Sequence, residues 1–168
     1  MPTFMTPRPP QSLDTSLLLN IVADAARNAG AFGAVVVKSG RVECAAAASA
    51  QPASYRIEVE DGGQIDVSLV MADRWQSHSI EADLLNTGDK VEELIAEELA
   101  EMGYDERMKG DSHVQCEHFR SEDKFFTFRS RVSAVVGEEG AAVIAAQWLR
   151  AYEAAFSRLG DMSAGDAE

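Results

Sequence analysis

Apolar and polar positions change their period several times along the chain, and each change marks an element. Between Leu13 and Ala29, Leu13, Leu17, Ile21 and Ala25 recur every four residues, with Leu18 and Val22 widening the stripe. That spacing predicts an amphipathic helix, capped by Ser12 or Asp14 and stopped at Gly30. The period then shortens. Val35, Val36 and Val37 are β-branched, Ser39-Gly40 is a turn pair, and Arg41 to Ala46 can return antiparallel. Alanine favours helix, so the run Ala45–Ala48 leaves strand and helix both open at that point. The next hairpin is plainer. Tyr55, Ile57 and Val59 alternate with charged residues, Asp61-Gly62-Gly63 turns the chain, and Ile65, Val67, Leu69 and Met71 alternate with Gln64, Asp66 and Ser68. Strict alternation predicts strands with one dry and one wet face.

Residues 73–103 return to helical spacing in two pieces, broken at Asn86-Thr87-Gly88. The first carries Trp75, Ile80, Leu84 and Leu85. The second carries the stripe Val91, Leu94, Ile95, Leu99 and Met102, with glutamates opposite. Strands are predicted at 113–120 and 124–132, after a polar connection at 104–112. The last helix, from about Glu138 to Gly160, sets Ile144, Trp148, Tyr152, Ala155, Phe156 and Leu159 on one face. This aromatic helix and the strand bearing Phe126 and Phe128 are expected to form the centre of the core. The fold class implied is α+β, an antiparallel sheet with helices packed on one face. One domain spans 13–160, between a proline-rich arm at 1–12 and an acidic tail at 161–168, both expected to be disordered.

Charge narrows the partners. Fifteen basic against 28 acidic residues give a net charge of −13. Such a field repels nucleic-acid phosphates and anionic membranes, and it attracts basic polypeptide. No apolar run is long enough to span a bilayer, and the start MPTFMTPRPP has no signal-like apolar core. A cytoplasmic location is expected. The two cysteines, Cys44 and Cys116, stand far apart in the sequence and are read as free thiols.

Candidate chemistry is sparse. His113, Cys116 and His118 form the most metal-like cluster. Strand alternation would put Cys116 and His118 on one face and His113 on the other, short of the three or four ligands that zinc requires. The three residues are kept only as an alternative metal or enzyme site. Ser77-His78-Ser79 are merely chain neighbours, and no Gly-x-Ser-x-Gly elbow is present. No catalytic, cofactor or metal residue is therefore assigned, and the chain is not expected to be an enzyme. Trp148 is read as core. Trp75, at a helix start, is read as a core anchor, with partner contact as the second reading. Phe125, Arg129 and Arg131 share one face of their strand with Thr127. That face is either solvated and salt-bridged to neighbours such as Glu117, or an interface with a second subunit or a partner.

The element order, with the stretches HFRSEDKFFTFRSRV and WLRAYEAAFSRLGDM, resembles that of the YbjN-like and type III secretion chaperone-like group. The resemblance implies a small acidic homodimer that binds polypeptide segments of an unidentified protein partner without catalysis, whether or not secretion is involved. A structural subunit of a larger assembly is a further alternative.

Overall fold

In a computed structural model, which describes residues 11–47, 49–103, 114–122 and 124–162, an antiparallel sheet forms the frame. Its strands are β1 (Phe32–Lys38), β2 (Arg41–Ala46), β3 (Ala53–Val59), β4 (Gln64–Met71), β5 (Glu117–Arg120) and β6 (Phe126–Val135), in the order β1-β2-β3-β4-β6-β5. The first four are a meander, because each pair is joined by a short connection. Helices α2 (Arg74–Thr87) and α3 (Val91–Glu101) then carry the chain away before β5 and β6 complete the sheet. Helices α1 (Gln11–Ala29) and α4 (Ala141–Phe156) lie against one face of the sheet, and α3 packs on α4. The class is α+β.

The aromatic centre forms as the periodicity indicates. Trp148, Tyr152 and Phe156 are buried on α4, and the Phe128 and Phe156 rings lie 5.0 Å apart. Inward rows run across the sheet in register: Cys44, Tyr55, Leu69 and Phe128 are successive partners. Ala45 and Ala46 belong to β2, so strand pairing to β1 and β3 overrides the alanine preference for helix there. Ala48 lies outside the described residues.

Four expectations are corrected. Helix α1 begins at Gln11, so residues 11 and 12 form its first turn rather than the end of an arm. Its buried side is Leu18, Leu19, Val22, Ala23 and Ala26, while Leu17 and Ile21 are 61% and 42% exposed. The apolar arc of α1 is wider than one sheet edge can cover, and docking beside β1 and α4 selects its flank. Strand β4 is buried on both faces, because it lies inside the sheet. Ser68 sits between Arg56 and Arg129, and Asp66 beside Arg131, so longer neighbours close over the short side chains. Finally, the segment after α4 is folded as far as Met162, which is 1% exposed. The Asp161 carbonyl accepts from Ala50 N at 2.9 Å. The predicted strand start at His113 lies outside the described residues, as do Asp123, most of the proline-rich arm and the tail beyond Met162.

Candidate functional site

The sheet face away from the helices carries charge laid out by the register. One row across it reads Glu43, Arg56, Ser68, Arg129 and Glu117; the next reads Arg41, Glu58, Asp66 and Arg131. Opposite charges therefore meet between strands. Arg56 pairs with Glu43 at 3.1 Å, Arg41 with Glu43 at 2.9 Å, and Arg129 with Glu117 at 2.8 Å. The Arg129 guanidinium also lies 4.6 Å from the Phe119 ring centre, while Arg56 approaches Phe125 at 5.9 Å. Phe125, Arg129 and Arg131 thus share this face, with Phe119 rather than Phe125 as the aromatic partner of Arg129. Phe119 was invisible as a partner in the sequence because its register against Thr127 depends on the β5–β6 turn.

Within that face, Asp66 is 3% exposed and Arg131 Nε stands 3.7 Å from its carboxylate. Burial, then a hydrogen bond and charge repulsion from Glu60, push the Asp66 carboxyl up to about 7. The same hydrogen bond, with Arg129 and Arg131, holds Glu60 below the usual carboxylate range. Two carboxyl groups in contact keep one proton between them.

Two residues of the metal-like cluster, Cys116 and His118, are otherwise engaged, and His113 lies outside the described residues. The Cys116 thiol sits 3.6 Å from the Tyr152 hydroxyl, and burial pushes it up to about 11, which disfavours the thiolate a metal needs. His118 lies on the helix side of β5, exposed at its edge and stacked on Phe128 with ring centres 4.0 Å apart. Its Nδ1 contacts the Glu81 carboxylate, and its Nε2 lies 3.0 Å from the Ser77 hydroxyl. Both ring nitrogens therefore have protein partners. Among the described residues, no group of three His, Cys, Asp or Glu side chains is placed to hold a metal ion.

Ser77 and Glu81 lie one turn apart on α2, so both side chains point along one side of the helix. Helix α2 starts where Asp73 accepts from Gln76 N at 3.0 Å, and it is tethered by Gln76, whose buried amide bonds both backbone groups of Gln51. Ser77, Glu81 and His118 line an open surface cavity of about 190 Å³ with Arg74, Trp75, His78 and Phe126. Trp75 is 71% exposed on this rim, contrary to its expected role as a core anchor. The helix start turns its side chain outward while Gln76, Ser77 and Ile80 turn in.

A third surface lies at the opposite edge of the sheet. Strand β1 pairs only with β2 among the described residues, and Val36 and Val37 are exposed along it; Val37 borders Thr15, Ser16, Leu19 and Asn20 of α1, while Leu17 and Ile21 are exposed on the same helix. The Arg27 guanidinium donates to the Val35 carbonyl at 3.3 Å near this edge.

Comparison with protein-family models, with curated proteins and with solved structures finds no match to this chain. Among the described residues, no helix is long and apolar enough to cross a membrane.

Proposed function

We propose that this chain is a protein-binding module, chaperone-like or regulatory, that works as a homodimer and holds extended polypeptide segments of other proteins. The observation that carries the reading is the β1 edge, which pairs only with β2 among the described residues and exposes Val36 and Val37. A strand edge supplies a row of backbone donors and acceptors to an incoming extended chain, and the neighbouring apolar side chains supply affinity. The occupant is an apolar segment flanked by lysine or arginine, because a net charge of −13 attracts basic and repels acidic polypeptide. Two copies of so acidic a chain can meet only where negative charge is locally offset. The sheet face with Arg41, Arg56, Phe125, Arg129 and Arg131 meets that condition. The YbjN-like and secretion chaperone-like resemblance of the sequence supports the same assignment.

Light scattering behind a sizing column tests the assembly. A dimer is expected, and Arg129→Glu should shift it to monomer with an unchanged circular dichroism spectrum. A wild-type monomer at high micromolar concentration would overturn the homodimer. Titration with labelled peptides tests the edge: Val36→Asp should weaken binding of an apolar, lysine-flanked peptide by about tenfold or more. Equal affinity for an acidic-flanked peptide would sink the charge argument.

A further inference from the structure

We infer that Ser77, His118 and Glu81 form a nucleophilic acyl-transfer site, a role distinct from polypeptide binding and located at the far end of the sheet from β1. The order of contacts is that of an activated hydroxyl. The Glu81 carboxylate at Nδ1 selects the tautomer that carries a proton there, which leaves the Nε2 lone pair facing Ser77 Oγ at 3.0 Å. The imidazole stacks on Phe128, itself packed on Phe156, an arrangement that orients it toward the hydroxyl. Ser77 belongs to the first turn of α2, whose positive end favours negative charge developing nearby. Although Ser77 is only 3% exposed, it lines the open cavity.

The cavity suits a short acyl group: about 190 Å³ of open surface space lies against Ser77, and its mouth leaves a leaving group in solvent. Trp75 and Phe126 offer apolar walls to the acyl or leaving group. The substrate is therefore a small carboxylic ester. Ser77 Oγ attacks the carbonyl carbon as its proton passes to His118 Nε2. The tetrahedral intermediate collapses, and the leaving alkoxide takes that proton and departs as the alcohol. Water then attacks the acyl-serine, giving its proton to His118. Collapse returns that proton to Ser77 Oγ and releases the carboxylic acid, so ester and water become acid and alcohol with no other reactant.

A fluorophosphonate probe tests this on the full-length native chain, read by intact mass and peptide mapping. One adduct per chain is expected, on Ser77, with loss of fluoride. It should be absent in Ser77→Ala and in heat-unfolded protein. His118→Gln should slow labelling, and the hydrolysis of p-nitrophenyl acetate, by about 100-fold. Glu81→Gln should slow both by a smaller factor. Circular dichroism melts of each variant separate loss of folding from loss of chemistry. If the three side chains merely fasten β5 to α2, the melts shift, native protein is not labelled at Ser77, and the proposal is overturned. It is equally overturned if Ser77→Ala is labelled as fast as wild type, or if the folded His118→Gln variant is.

Discussion

Asp66 stands on the inner strand β4 in contact with Glu60, and its carboxyl is pushed up to about 7, first by burial and then by that neighbour. An acid whose folded value is raised binds more protons folded than unfolded. Its contribution therefore lowers stability as pH rises from the ordinary value of 3.8 through about 7. Asn at this position can still donate to Glu60 but never acquires the buried charge. Asp66→Asn should thus gain on wild type as pH rises, by ~1–2 kcal/mol between about pH 5 and about pH 8. Paired thermal melts check it, and an equal difference at both pH values would show that Asp66 is not carrying the proton. Alternation in the sequence marked Asp66 as wet, because a period-two pattern reports side-chain chemistry and not whether flanking strands bring longer side chains over it. His118 taught the same lesson. The sequence offered it beside Cys116 as a ligand, whereas β5–β6 register and the α2 approach give it Ser77 and Glu81, which are 41 and 37 positions away in number.

Helix boundaries were legible to within a turn, and what the ends do was not. Gly160 reads as a helix stop, yet α4 ends at Phe156 and Gly160 lies in the turn that follows. There its N–H donates to Asp83 at 2.8 Å, and Asp161 N donates to Ser79 Oγ at 2.8 Å. The segment after α4 is clasped to α2. The φ of Gly160 is +49°, and a Cβ built there would stand 2.6 Å from the Ser79 carbonyl carbon and 2.7 Å from its oxygen. Backbone cannot yield as a flexible side chain can. Gly160→Ala should therefore destabilise by about 2 kcal/mol or more, lowering the melting temperature by several degrees. A melt within a degree of wild type would mean that the clasp is not formed. Helix α1 makes the companion point. Its apolar content was read correctly, but its contact face was misplaced, because Leu17 and Leu18 are equally apolar and only docking separates them.

For the whole molecule, the net charge of −13 is distributed unevenly. Glu93, Glu97 and Glu101 of α3 are exposed away from its buried stripe, while arginines and acids balance on the sheet face. Capture of a basic segment at the β1 edge should then depend on salt far more than folding does, since exposed charges are screened beyond about 10 Å at 0.1 M. Raising salt from about 0.05 M to about 0.5 M should weaken peptide affinity by roughly tenfold while the melting temperature moves by only a few degrees. Fluorescence anisotropy alongside thermal melts checks both. Affinity that strengthens with salt would place the binding in apolar contact alone.

By itself the sequence determined the element types, the meander of Arg41 to Met71, the aromatic core pair and the acidity, because these depend on local period and composition. It also placed Arg129 and Arg131 on one face with Phe125, since strand alternation needs no partner to be true. Tertiary structure decided which side of α1 is free, which strand is closed over, and that Trp75 opens to solvent. It alone brought His118 on β5 to Ser77 and Glu81 on α2. Those contacts join elements separated by a helix and a long connection. Only the sheet order β4-β6-β5 and the docking of α2 at its end fix the distance between them.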